Sequence, residues 1–305
     1  MYKILISESN DPAVNLATEE YLLCGEKYGG DDILLLWRGY PSVVIGKFQN
    51  AYEEVSLTEC QKNNVPVYRR NSGGGTVYHD LGNVNFSFFT RRSPELPDYP
   101  RFLSPVVEFL RGLGIPAEEG SSLDITVCGK KISGNAQSVH GTRMMHHGTL
   151  LFDCELSVLN ALTGHIREKI VSKSIKSNPS AVRNVKPYIS PERAGYSTEQ
   201  FMLDFAGYFS DGSQPLCFDD EDLSKLDRLA RQKYRTWEWN FGRSPAFELS
   251  CPEISLKAKN GIITDSSVYS DILCGERLIH GNIYDKICGV CGVTVAERLV
   301  PAIFD

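Results

Sequence analysis

The chain has 305 residues, 42% hydrophobic and 23% charged, a globular composition long enough for about two domains. Its formal net charge of −6 argues against a general nucleic-acid binder, and no stretch of about 18 uncharged apolar residues offers a membrane span. The opening MYKILISESNDPAVN lacks the features of a secretory signal, and nine cysteines at scattered spacings fit reduced thiols better than a disulfide framework. The expectation is a cytoplasmic protein with neither nucleic-acid nor membrane partners.

In chain order, Asp11-Pro12 reads as N-cap and first residue of a helix with Val14, Ala17, Tyr21 and Cys24 on its apolar face. Residues 33–37 and 43–45 are apolar runs bounded by Gly and Pro, and read as buried strands. Residues 65–68 lead into a glycine turn, and 84–89 (VNFSFF) form a strand that exits into the Pro-bearing loop 93–100. Ser104 would cap a helix over 105–113 that Gly114 terminates. Residues 125–127 and 131–136 flank Gly129-Lys130 as a hairpin. A strand over 148–152 then runs into a short helix stopped at Gly164.

Ser197 and Gln200 make a capping box for a helix with Phe201, Phe205 and Tyr208 on its apolar face. Residues 219–235 open with four acids and close with Arg231, Lys233 and Arg235, a polarity that suits the helix dipole, with Leu223, Leu226, Ala230 and Tyr234 as its buried face. Past Pro245 short alternating strands precede helices. That change divides the chain into a unit over 1–244 and a smaller appended one over 245–305. Mixed strands and helices joined by hairpins give an α+β fold, not a regular βαβ alternation.

Three segments carry chemistry. The first is RRNSGGGTVYHDLGN, residues 69–83, where three glycines let the backbone approach a ligand and turn its amides toward an anion. Arg70 adds a guanidinium fork for a carboxylate or phosphate, and Ser72 and His79 are polar groups able to orient a ligand head. A bare GGG is equally a flexible turn; the flanking Arg-Arg and His-Asp favour a site. In the second, GKKISGNAQ at 129–137, adjacent lysines on a strand face opposite ways, so one faces solvent and the other a cleft, where it can stabilise charge on a phosphoryl group. The third is HHGTLL, 146–151, whose paired histidines have no third ligand at zinc spacing and read better as the wall of a ligand pocket.

Other patterns carry less. The stretch from Gly39 to Lys47 has the wrong spacing for a P-loop and lacks its hydroxyl, and Cys288-Gly-Val-Cys291 is a lone CxxC better read as structural. There is no GxSxG elbow.

In this order the three segments resemble the lipoate–protein ligase A family, whose motifs run RRxSGGGxVxHDxGN, GKKxSGxAQ and HHGTLL. LLWRGYPSVVIGKFQN, KSIKSNPSAVRN and YRTWEWNFGRSPAF extend the resemblance over about residues 1–250. The resemblance implies a biotin/lipoyl-ligase-like α+β catalytic domain, a small C-terminal α/β accessory domain, and ATP with Mg²⁺ as cofactors. It implies attack of the lipoate carboxylate on the α-phosphorus of ATP, then transfer to a lysine of an apo lipoyl domain of a 2-oxoacid dehydrogenase E2 subunit or of glycine-cleavage H protein. By motif position Lys131 is then the catalytic lysine, and Arg70, Gly75, Thr76, Val77, Tyr78 and Asp124 meet ATP or the adenylate. Trp37, Ser72, Gly73, Gly74, His79 and His147 border the acyl pocket. No protein metal site is assigned beyond a possible place for Mg²⁺ near Asp124.

Two positions depart from the family: Leu123 stands where Asn is usual before the lysine hairpin, and Ala181 replaces the arginine of SRVTN. They leave open an altered activity. An ATP-independent lipoyl or octanoyl transferase on the same scaffold is the alternative, with Cys128 and Cys154 as its nucleophile candidates.

Overall fold

The computed structural model describes residues 1–93, 97–121, 123–163, 169–178, 180–190, 193 and 195–304; Gly164 and part of the 93–100 loop fall outside them. Its strands in chain order are β1 (Lys3–Ile6), β2 (Ile33–Trp37), β3 (Ser42–Ile45), β4 (Val67–Arg69), β5 (Val77–His79) and β6 (Asn83–Arg91). There follow β7 (Ala117–Glu119), β8 (Ile125–Val127), β9 (Lys130–Ser133), β10 (Asn135–His140) and β11 (Arg143–Leu151). The last are β12 (Ile170–Ser172), β13 (Phe247–Ser250), β14 (Ser255–Lys259) and β15 (Ile262–Ser266). They form a five-stranded sheet β1-β2-β6-β11-β10, two three-stranded sheets β4-β3-β5 and β7-β8-β9, and a four-stranded sheet β12-β13-β14-β15. The fold is α+β.

The five-stranded sheet sorts its residues by the two-residue period of a strand. Leu34, Leu36, Val84, Phe86, Phe88, Met144 and Leu150 face the core formed with the helices Pro100–Gly112 and Thr198–Phe209, where Phe102, Phe109, Phe201 and Phe205 pack. On the other face, Ile33, Leu35, Trp37, Phe89 and Met145 pack with Leu22 and Leu23 of the helix Pro12–Cys24. Burial on both faces explains why β2 is an unbroken apolar run. Asn85 and Ser87 of β6, with His147 and Thr149 of β11, share that second face, and the functional cavity opens there.

Several local expectations change. The helix Pro12–Cys24 is capped by Asp11 as expected, but it buries Ala13, Leu16, Ala17, Leu22 and Leu23, and Cys24 is exposed. It packs against the sheet on one side and Ala230 and Tyr234 on the other, so a single apolar stripe misplaces its face. The helix expected from Pro105 begins at Pro100; Ser104 lies inside it and donates to Glu119 at 2.6 Å. Burial of Phe102 and Leu103 offsets the backbone bond that an internal proline forgoes. Tyr208 and Leu223 are about half exposed, and Phe209 takes the buried place expected of Tyr208.

The expected strand 131–136 breaks at Gly134, where the chain leaves the β8–β9 hairpin and enters β10 of the large sheet; Thr149 holds the crossing with two hydrogen bonds of 3.1 Å. The residues expected to form strands past Pro245 do so as β13–β15, and β12 from the middle of the chain adds to their edge.

Arg69 and Arg70 are both buried. The Arg69 guanidinium donates to the carbonyls of Gly46, Lys47 and Gln49 (3.1, 3.2 and 2.6 Å) and to that of Asn240 at 2.9 Å, joining the glycine loop to the Trp237–Asn240 helix. A lysine has too few donors, in the wrong geometry, to replace it. Arg69→Lys is expected to lower unfolding stability by about 3 kcal/mol, because buried carbonyls lose their donors. Urea denaturation checks this; a midpoint equal to the wild type's would contradict it.

Candidate functional site

Two contiguous cavities of about 260 and 190 Å³ lie between the large sheet and the β4-β3-β5 sheet. They share Thr76, Val77, Lys131, Gly134, Thr149, Ser177 and Asn178. The inner cavity continues to Leu16, Trp37, Val44, His79 and His147; the outer one continues to Tyr78, Leu151, Leu159, Asn160 and Val182. Lys131 stands where they meet.

Lys131 is set there by its strand. The β8–β9 turn, Cys128-Gly129, takes φ values of +48° and +71°, as a two-residue hairpin with both central residues left-handed requires. Strand alternation then leaves Lys130 exposed and turns Lys131 to the cavities. On its far side Lys131 N–H donates to Ala181 O at 2.9 Å, and Arg183 N–H donates to Lys131 O at 3.0 Å. Gly134 lies against the lysine, where a Cβ would stand at ordinary contact distance, 3.6 Å from Nζ. Asp124 Oδ2 is 3.9 Å from Nζ.

The glycine turn is braced from beneath. Arg70 donates to the carbonyls of Val44 (3.1 Å), Gly73 (2.7 Å) and Gly75 (2.7 Å) and to Ser72 Oγ (3.1 Å). Burial lowers its pKa to about 10, still well above neutrality. Of the three glycines Gly74 has the conformational need: its φ is +89°, and a Cβ would stand 2.9 Å from Arg70 Nη2. Gly73 lines neither cavity; its carbonyl serves Arg70.

Ser72 bonds His147 Nε2 at 2.7 Å, and His147 Nδ1 meets Glu19 Oε1 at 3.0 Å. Glu19 also accepts from Ser87 Oγ at 2.6 Å. Burial alone would raise the Glu19 pKa, yet His147 and the Ser87 and Trp37 donors bring it below the usual carboxylate value. His79 packs edge-on to Trp37, with ring centroids 5.3 Å apart, and among the described residues its buried nitrogens have no hydrogen-bond partner. The other histidine of the pair, His146, points into the core and stacks on Phe102.

Residues 11–210 match the family described as the lipoyl protein ligase A/B catalytic domain. The lipoate–protein ligase LplJ of Bacillus subtilis is 36% identical over 298 residues, covering 91% of this chain and 88% of the relative. The chain belongs to the lipoate–protein ligase family. A Thermoplasma acidophilum protein with bound lipoic acid is 28% identical, with a TM-score of 0.63, covering 79% of this chain and 99% of its own. A bi-partite lipoate protein ligase and its E2 lipoyl domain from the same organism give 0.65 at 28% identity, over 79% of this chain and 96% of that one. A lipoate-protein ligase A structure bound with ATP gives 0.66, also at 28% identity and over 79% and 99% of the two chains.

Trp37, Arg70, Gly74, Gly75, Thr76, Val77, His79, His147 and Lys131 thus line the inner cavity, and Tyr78 lines the outer one. Ser72 reaches the site through His147, and Asp124 lies behind Lys131, off both linings. Among the described residues no group of three His, Cys, Asp or Glu side chains is placed to hold a metal.

Glu19, Gln49, Glu54, Ser177 and Asn178 were not legible as site residues. Ser177 Oγ accepts from Thr76 N–H at 2.9 Å and from Gln49 Nε2 at 3.0 Å, and itself donates to Glu54. The signal for Ser177 was the KSIKSNPSAVRN match; nothing local marks a buried glutamate such as Glu19 on a helix.

Both departures from the family lie off the cavity linings. Ala181 is exposed and serves through its carbonyl. Leu123 is 46% exposed with φ +58°, a left-handed conformation that asparagine tolerates and leucine does not. Leu123→Asn should stabilise the fold by about 1 kcal/mol and leave adenylation unchanged. A lowered melting temperature would refute the strain.

His79 and His146 both have pKa values lowered to about 3, chiefly by burial, so the fold holds them neutral. In the unfolded chain histidine titrates near 6.5, so below that pH the unfolded state binds protons that the folded state excludes until about pH 3. Stability must fall as pH drops through this window. His146→Phe should move the acid-unfolding midpoint, read by tryptophan fluorescence, to lower pH; a midpoint at or above the wild type's would count against it.

Proposed function

We propose that the protein is an ATP-dependent lipoate–protein ligase in which the inner cavity holds the acyl chain, the outer cavity the nucleotide, and Lys131 the junction between them. The carrying observation is the position of Lys131, the one lysine common to both linings. An inner wall that includes Leu16, Trp37 and Val44 suits an eight-carbon chain at about 0.8 kcal/mol per buried methylene. The names of relatives with lipoic acid or ATP bound support this reading.

In the reaction, a lipoate carboxylate oxygen forms a bond to the α-phosphorus of ATP, and pyrophosphate leaves. Lys131 neutralises charge on the carboxylate and the α-phosphoryl oxygens, where a fixed cation lowers the barrier most. Gly75, on the cavity lining, is read as part of the phosphate cradle, and the turn is braced next to it by the Thr76 N–H bond to Ser177 Oγ. A deprotonated ε-amine of an acceptor lysine then attacks the acyl carbon, forming the amide and releasing AMP. The acceptor is read as an apo lipoyl domain of an E2 subunit or H protein; the ligase studied with its E2 lipoyl domain supports the first. Mg²⁺ would accompany ATP, and Asp124, 3.9 Å from Lys131 Nζ, is the carboxylate that would meet it. Residues 1–244 are read as the catalytic unit and 245–305 as the accessory one.

The cysteines lend no support to an ATP-independent transferase. Cys154 is buried, and burial pushes its thiol far above the ordinary value; Cys128 is exposed at the hairpin tip, and neither lines the cavities. Lys131→Ala is expected to lower lipoate-dependent ATP–pyrophosphate exchange at least 100-fold, with an unchanged melting curve. Exchange near the wild-type rate would remove Lys131 from the reaction.

A further inference from the structure

On the outer side of the two segments that close over the site lies a second groove, of about 710 Å³. Its lining includes Lys47, Lys173, Arg243 and Arg277, and the exposed side chains of Phe48 (57%) and Ile175 (55%). It contains one carboxylate among the described residues, Glu238, paired with Arg277 at 2.8 Å. Among the described residues no carboxylate lies within ion-pairing distance of Lys47, Lys173 or Arg243. A chain of net charge −6 thus gathers, around an apolar patch, cations without a carboxylate partner among the described residues.

The position of this patch matters. Lys47 N–H donates to Ser72 O at 2.8 Å, tying one wall to the glycine loop. Ile175 N–H donates to Phe48 O at 3.4 Å, and two residues on, Ser177 accepts from Thr76 N–H. The groove therefore backs on the segments assigned above to the adenylate.

We propose that this groove docks an acidic face of the acceptor protein, with Phe48 and Ile175 supplying the apolar contact. Charge complementarity selects this occupant: these cations at the rim attract a negative face and speed encounter, and an exposed apolar centre fits a folded partner. The inference rests on the ligase reading, and the test separates the two.

The triple variant Lys47→Glu/Lys173→Glu/Arg243→Glu is compared with wild type and with the corresponding triple Gln variant. Lipoate-dependent ATP–pyrophosphate exchange, which needs no acceptor, should stay within about twofold of wild type. The KM for an apo lipoyl domain should rise about tenfold or more, with kcat at saturating acceptor retained and the Gln variant intermediate. Wild-type KM should climb with ionic strength, and that of the Glu variant should not. Direct binding of the apo domain, measured by calorimetry without ATP, should weaken in parallel. Unchanged acceptor KM and binding would overturn the proposal. So would equal losses of exchange and transfer, which would make the groove part of the nucleotide site. Absence of exchange in the wild type would sink the ligase reading, while the binding measurement would still decide the groove.

Discussion

Arg69 and Arg70 lie side by side in the interior, and both guanidinium groups are directed almost wholly at backbone carbonyls. Arg69 gathers the carbonyls of residues 46–49 and of the Trp237–Asn240 helix; Arg70 gathers those of Val44, Gly73 and Gly75. A loop rich in glycine has many conformations to lose on folding, and carbonyls turned inward need donors. The arginine pair supplies those donors and so fixes the path of the loop. The rest of the site is arranged around that fixed loop: His147 reaches it through Ser72, and Ser177 closes on it at Thr76.

Much of this was legible in the sequence because it is local. The Asp11 cap, the β2 run, the hairpin that separates Lys130 from Lys131 and the glycine turn all follow from residue type and spacing. The three segments that carry chemistry, together with KSIKSNPSAVRN, converge on the two cavities. What was not legible depends on contacts between distant segments. Arg70 reads as a phosphate fork, yet its neighbours in space take up its donors. Glu19 sits in an ordinary helical stretch, and only the fold brings it to His147, 128 positions away. The helix Pro12–Cys24 is covered on two sides, which a single stripe of apolar residues does not reveal.

The departures at Leu123 and Ala181 look serious in a motif alignment and mild in space. One sits at a strained turn and the other presents its backbone to Lys131, so neither removes a cavity-lining side chain. What the site demands of these segments is the path of the chain, because that path sets the position of Lys131.

In the proposed ligase, acyl chain and nucleotide enter separate cavities and meet at Lys131. A crystal structure of the protein with a non-hydrolysable lipoyl-adenylate analogue tests it most directly. The dithiolane end is expected near Trp37, the adenosine beside Tyr78 and Asn160, and the phosphoryl group within hydrogen-bonding distance of Lys131 Nζ. An analogue bound with its nucleotide outside the outer cavity, or with its phosphoryl group out of reach of Lys131, would contradict it.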